Sequence, residues 1–325
     1  MKIALLLVLV ATFAGCGGGG RGGDETAGDT AVTATSKSGG DLSGRIQADG
    51  SSTVGPYTTA AAEGFRGVEP GVDVTVGVSG TGGGFERFCR GETDLSDASR
   101  PIKAEEAAAC DKKSIQYVEF QIANDALTLV VNKENDWVQC LTVEQLGKIW
   151  APDSKVSNWN QVDASFPDKK LKLFGPGTDS GTFDYFTGAI NGKEGASRSD
   201  YAASEDDNTV VTGVSGEQGG LGYFGFSYYE ENQDTLKALE IDGGDGCVAP
   251  SVETAQSGTY KPLSRPLFIY AKQESFKRLE VEAFIQYILD NETQIAERSQ
   301  YVPLTDEQLT KAKSDFDAAV AEVKA

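Results

Sequence analysis

Apolar positions follow two spacings along the chain, and their alternation predicts an α/β protein. Residues 72–78 place valine at every second position, which is typical of a half-buried strand. Residues 305–323 repeat apolar side chains at helical spacing. Further strands are predicted at 45–48, 126–132, 172–174, 221–224 and 266–270, and further helices around 60–65, 85–89, 142–150 and 281–289. This order predicts a largely parallel sheet flanked by helices.

Three of the predicted strands end in a loop of glycines and hydroxyl residues that opens a helix. The loops are residues 50–56, 79–85 and 175–183, and we call them the first, second and third loop. Glycine allows a ligand to approach the backbone closely, and a helix N-terminus presents unpaired N–H groups and a positive dipole end. Each loop follows the carboxyl end of a strand, where open α/β sheets bind ligands. The three loops therefore predict a cage for an anion.

The strands near 118–132 and 265–270 are predicted to cross between two lobes. The first lobe then comprises residues 45–123 and 266–325, and the second comprises residues 124–265. Two α/β lobes around a cleft are the shape of a protein that closes on a ligand by hinge motion.

Composition excludes several function classes. The 29 basic and 49 acidic residues give a formal charge of −20, which excludes a nucleic-acid-wrapping surface. Histidine is absent, so the commonest general base and the usual zinc ligand are missing. No lysine follows a glycine loop in the pattern of a nucleotide site, and no metal or other cofactor is expected.

The N-terminal residues are predicted to be an export signal followed by a tether. Lys2 precedes an apolar run that is too short to span a bilayer, so residues 1–15 are predicted to be a signal peptide. The end of this segment resembles a bacterial lipoprotein box with Cys16 as the acylated residue, although Phe13 departs from it, and ordinary cleavage or a retained anchor stays open. Residues 16–44 are rich in glycine, serine and threonine and are predicted to be a flexible tether.

The four remaining cysteines are an even number in an exported protein, which favours two disulfides. Three pairings are formally open. We favour Cys89–Cys110 and Cys140–Cys247, because each pair then falls within one predicted lobe.

Two charged residues in the segment 94–101 are candidate ligand contacts. Arg100 could contact a tetrahedral oxyanion through two parallel hydrogen bonds. Asp97 could accept a proton from a phosphate hydroxyl, which fully ionised sulfate lacks, or it could serve the local structure.

Five segments together resemble the phosphate-binding subunit of bacterial phosphate ABC importers. The segments are 49–54, 81–85, 94–102, 175–186 and 219–225, and the resemblance runs from Gly44 to the C-terminus. It implies a two-lobed, type II-like periplasmic-binding-protein fold that closes on one phosphate. Its hydroxyl and backbone donors match Ser52, Thr53, Thr81, Ser180, Gly181 and Thr182. Ser51, Asp97 and Arg100 complete our candidate site.

The chain departs from this family at two positions. The commonest form has arginine at the start of the third loop, where this chain has Pro176, so we expect Arg100, or less readily Arg198, to supply the charge. The family's proton-accepting aspartate lies closer to the position of Ser99 than to that of Asp97.

The predicted function is therefore a lipid-anchored, extracytoplasmic monomer that captures inorganic phosphate for an ABC permease and is not an enzyme. One alternative is a phosphate-sensing or adhesive lipoprotein. Another is an extracellular phosphoester hydrolase with Ser180 as its nucleophile, which the absence of histidine disfavours.

Overall fold

A computed structural model describes residues 42–178, 180–204 and 206–325 as an α/β fold. The strands are β1 (Ser43–Gly50), β2 (Gly71–Val78), β3 (Leu95–Ala98), β4 (Tyr117–Asn132), β5 (Cys140–Thr142), β6 (Lys172–Pro176), β7 (Ala202–Ser204), β8 (Gly220–Gly225), β9 (Leu236–Ala238), β10 (Glu240–Asp242), β11 (Cys247–Val248) and β12 (Ser264–Lys272). The helices are α1 (Gly55–Val68), α2 (Gly80–Cys89), α3 (Ala104–Asp111), α4 (Val143–Trp150), α5 (Trp159–Val162), α6 (Gly181–Asn191), α7 (Asp207–Ser215), α8 (Phe226–Glu231), α9 (Val252–Gln256), α10 (Leu279–Asp290), α11 (Glu292–Arg298) and α12 (Asp306–Lys324), with a 3₁₀ turn at Gln273–Lys277.

The main sheet is mixed rather than largely parallel. Its strand order is β2-β1-β3-β12-β4-β8-β6-β7, and β9 also pairs with β4. The outer strands are parallel, β1 with β2 and β3, and β6 with β7 and β8. The central strands β12 and β4 are antiparallel to their neighbours. The two parallel sets therefore lie on either side of one antiparallel pair.

Strands β4 and β12 are the two long strands at the centre of the fold. Arg265 lies directly opposite Asp125 in their antiparallel register. Apolar residues from the first part of β4, such as Phe120, belong to one hydrophobic cluster, whereas Leu127, Leu129 and Val131 belong to another. The long strand thus connects two separate cores.

The hydrophobic cores separate along the sequence. One cluster draws its buried residues from 46–123 and 267–319, and a second draws them from 127–263. Small clusters of aromatic and valine side chains extend each of them. A smaller cluster combines residues from both parts of the sequence, namely Ala126, Phe226, Ala255 and Val302. The architecture is a two-lobed α/β fold, as predicted.

The helices predicted at 142–150 and 305–323 are confirmed as α4 and α12. Thr142 caps α4 by accepting a hydrogen bond from the Gln145 N–H at 3.1 Å, and Thr305 caps α12 in the same way. The disulfides are Cys89–Cys110 and Cys140–Cys247, the pairing that we favoured.

The predicted signal peptide, the predicted lipidation site Cys16 and most of the predicted tether lie outside the described residues. Within the part of the chain that the structure describes, no helix combines the length and apolar character needed to cross a bilayer.

Candidate functional site

The first loop turns sharply at Gly50 and then opens α1. Gly50 has a φ of +153°, and a Cβ built there would lie 2.1 Å from the Asp97 carbonyl oxygen, so glycine is required. The Ser51 N–H donates to that carbonyl at 2.9 Å, and the Ser51 hydroxyl accepts from the Thr53 N–H at 3.2 Å. Ser51 is therefore used to shape the loop. The partly exposed Ser52 instead lines an open groove of about 580 Å³ along α1, β2 and residues 298–300.

The second loop packs against the first. A Cβ on Gly84 would lie 2.6 Å from the Gly50 Cα, so α2 can approach β1 this closely only because residue 84 is glycine. Thr81, in the first turn of α2, lies beside the end of β3. Its hydroxyl is 3.1 Å from the Ser99 hydroxyl and accepts from the Ser99 N–H at 3.3 Å. The strand end and the helix start thus share one hydroxyl cluster.

The third loop meets the first loop directly. Ser180 caps α6 by accepting from the Thr182 N–H at 3.2 Å. A Cβ on Gly181 would lie 2.8 Å from both the nitrogen and the hydroxyl of Thr53, and the Thr53 hydroxyl is 3.4 Å from the Gly181 carbonyl. The N-terminal ends of α1 and α6 therefore meet at Thr53 and Gly181. First-turn N–H groups have no intrahelical acceptor, so this junction can bind an anion.

Asp97 lies behind the first loop, on the side of α1. Its side chain is fully buried and accepts a hydrogen bond from the Thr58 hydroxyl at 2.9 Å. Its second oxygen has no protein partner in the described chain. Burial raises the pKa of Asp97 to about 7, and the Thr58 hydrogen bond opposes this rise. Its backbone carbonyl, rather than its carboxyl group, contacts the loop.

Arg100 and Arg198, the two arginines expected to supply positive charge, are both engaged by protein groups. Arg100 makes two parallel hydrogen bonds of 2.8 Å to Glu106 on α3. Arg198 is only 6% exposed and pairs with Asp200, and it also donates to backbone carbonyls near α4.

Arg265 lies beside the junction of Thr53 with Gly181, which the sequence did not indicate. Its Nη2 donates to the Thr53 hydroxyl at 2.7 Å, and its Nε donates to Asp125 at 3.2 Å. Its guanidinium lies 3.6 Å from the centroid of the Tyr185 ring. Position 265 begins a predicted strand, but only the register of β12 against β4 brings it to the first loop.

The described residues contain one group of three close potential metal ligands, formed by Cys140, Glu240 and Cys247. The two cysteines are joined in a disulfide and offer no thiolate. The geometry around Thr53 and Gly181 suits an oxyanion instead.

Comparisons with known proteins identify the family of this chain. A family model described as a PBP superfamily domain matches residues 26–292. Protein SphX of Synechococcus elongatus is 50% identical over 274 residues, covering 83% of this chain and 81% of that protein. The phosphate-binding protein PstS of Staphylococcus epidermidis is 42% identical over 264 residues, covering 81% of this chain and 79% of that protein.

A solved structure is similar over nearly its whole length. It is the crystal structure of a protein from Planctomyces limnophilus described as a possible phosphate-binding protein, with a TM-score of 0.83 and 48% identity. The match covers 86% of this chain and 99% of that one. By these similarities the chain belongs to the PBP superfamily and, within it, to the PstS-like phosphate-binding proteins.

Proposed function

We propose that this protein captures inorganic phosphate outside the cytoplasm and delivers it to the permease of an ABC importer. The observation that carries the proposal is the junction of Thr53 with Gly181. There the N-terminal ends of α1 and α6 meet, and the second loop packs against the first loop beside them. Oriented N–H groups and hydroxyls of this kind bind tetrahedral oxyanions. Family membership supports phosphate as that oxyanion.

The proposed ligand contacts come from all three loops. Thr53 and Thr81 contribute from the first lobe, and Ser180, Gly181 and Thr182 contribute from the start of α6. Ser51 and Ser52 support the first loop, because Ser51 already accepts from Thr53 and Ser52 lines the neighbouring groove.

Asp97 and Arg100 have supporting roles in this proposal. The buried Asp97 side chain accepts a hydrogen bond from Thr58 of α1, and Arg100 is paired with Glu106 of α3. Both side chains therefore stabilise the protein structure around the loops and do not contact the ligand. Selectivity for phosphate over sulfate then depends on other acceptors around the ligand, among which Ser99 is the nearest to Thr81.

The lobes that close on phosphate comprise residues 45–123 with 266–325 and residues 124–265. The separation of the hydrophobic cores supports these boundaries. The protein acts as a monomer, and acylation of Cys16 after removal of residues 1–15 tethers it to the membrane through the segment 16–44. It binds and releases its ligand unchanged and is not an enzyme.

Titration calorimetry of the purified protein with phosphate and with sulfate tests this function. We expect saturable one-to-one phosphate binding, with sulfate bound much more weakly. Replacing both Ser180 and Thr182 by alanine removes two hydroxyls from the third loop and should weaken phosphate binding at least tenfold. Equal affinity for the two anions would overturn the selectivity, and unchanged affinity in the double variant would remove the third loop from the site.

A further inference from the structure

Two arginines near the second loop, Arg87 and Arg100, donate to carboxylates and, among the described residues, make no hydrogen bond to Thr53 or Gly181. Arg100 is bound through two hydrogen bonds to Glu106, and Arg87 is paired with Asp49. Pro176 occupies the start of the third loop and carries no charge. None of the three loops contains an arginine or a lysine, so a positively charged contact to the anion has to come from elsewhere in the fold.

Arg265 reaches the point where the first and third loops meet. Its Nη2 donates to the Thr53 hydroxyl, the same atom that lies within 2.8 Å of a Cβ built on Gly181. Its Nη1 has no protein acceptor among residues 42–178, 180–204 and 206–325. The side chain is 14% exposed, so this guanidinium is largely removed from bulk water yet retains unused donors.

Three different elements hold this guanidinium in position. Asp125 on β4 lies directly opposite in the strand register and accepts from Nε. The Tyr185 ring, on α6, lies against the guanidinium, and its hydroxyl is fixed by donation to the Pro262 carbonyl at 2.7 Å. Thr53 completes the set from the first loop. Arg265 thus contacts residues from both lobes.

We propose that Arg265 contacts the bound oxyanion and supplies the positive charge of the site, with Asp125 and Tyr185 as positioning residues. Arginine suits this role because its planar fork can donate two parallel hydrogen bonds to an oxyanion and stays charged at every physiological pH. The inference rests on the proposed function and adds to it the identity of the charged contact.

The test compares phosphate affinity in Arg265→Gln, Arg265→Lys and the double variant Arg265→Gln/Asp125→Asn, with Arg66→Gln as the control. Arg66 is a 72% exposed arginine in the last turn of α1, 3.9 Å from Asp73, so this change removes one positive charge from the surface. We expect Arg265→Gln to weaken binding by roughly 30-fold or more, because truncating a buried charged contact costs that much. The phosphate affinity of Arg265→Lys should lie between those of Arg265→Gln and the wild type. The affinity of the control should remain within twofold of the wild type.

The double variant separates ligand contact from structural support. It removes both members of the ion pair and leaves no uncompensated buried charge, so its fold is preserved even where Arg265→Gln is destabilised. If Arg265 contacts the anion, the double variant binds phosphate as weakly as Arg265→Gln does. If Asp125→Asn restores phosphate affinity to within threefold of the wild type, the assignment is overturned.

Failure of this inference and failure of the proposed function give different results. Wild-type affinity in Arg265→Gln, together with loss of binding in the Ser180→Ala/Thr182→Ala variant, overturns the role of Arg265 alone. No phosphate binding by the wild type overturns both.

Discussion

Replacing Gly181 by alanine should open the junction between the first and third loops. The added Cβ would lie 2.8 Å from the Thr53 nitrogen, 2.8 Å from its hydroxyl oxygen and 3.0 Å from its Cα. Two of these three atoms belong to the backbone, so a change of side-chain rotamer cannot relieve the contact.

The size of the effect follows from this geometry. Ordinary van der Waals contact begins at 3.4 Å, so the two loops must separate by about 0.6 Å. Inserting a methyl group into such a tight contact costs about 1–3 kcal/mol. If bound phosphate requires the junction to be closed, its affinity should fall roughly 5- to 150-fold.

Titration calorimetry with phosphate measures this loss, and thermal unfolding of each variant separates it from misfolding. The matched control is Gly147→Ala in α4 of the second lobe, where the nearest atom to a built Cβ is the Ile190 carbonyl oxygen at 3.7 Å. The control should bind phosphate as the wild type does. Phosphate affinity of Gly181→Ala within twofold of the wild type would show that phosphate binding does not depend on a closed junction.

Three further predictions concern stability. Asp97→Asn should stabilise the protein at pH 8 by up to about 4 kcal/mol in urea unfolding. Burial raises the pKa of Asp97 from 3.8 to about 7, so the free energy of unfolding of the wild type falls as the pH rises to about 7, whereas an asparagine side chain does not ionise. The stability difference between variant and wild type should therefore shrink as the pH falls below 7, and a difference that stays constant below pH 7 would contradict the explanation. Replacing the Cys140–Cys247 pair by serines should cost about 4.7 kcal/mol, against about 3.3 kcal/mol for Cys89–Cys110, since the separations are 107 and 21 residues. Equal losses in urea unfolding would count against the loop-closure argument. Gly84→Ala should lower the melting temperature far more than Gly82→Ala, because a Cβ at 84 meets the Gly50 backbone at 2.6 Å whereas one at 82 meets only side-chain ends at 3.8 Å or beyond; similar melting temperatures would contradict this packing.

Local patterns in the sequence were sufficient to predict the three loops and most of the long strands and helices. Glycine and hydroxyl residues directly after a periodic strand identify a strand end, and apolar residues at helical spacing identify α12. The favoured disulfides followed from assigning cysteines to lobes. These features depend on residues close in sequence or on a coarse division of the chain.

We did not predict the features that depend on contacts between residues far apart in the sequence, or we predicted them only in part. Arg265 is separated by 140 residues from Asp125 and by 212 from Thr53, so no local pattern indicates that these three residues meet. The sheet β11-β10-β5 is built from strands of two or three residues, which are too short to show a period. The antiparallel pairing of β4 with β12 also made the sheet mixed instead of largely parallel.

A crystal structure with bound phosphate would show whether the three loops form the binding site. We expect one phosphate at their junction, within hydrogen-bonding distance of Thr53, Thr81, the start of α6 and the Arg265 guanidinium. Phosphate bound elsewhere, or held at the junction without any group of the third loop, would contradict this expectation.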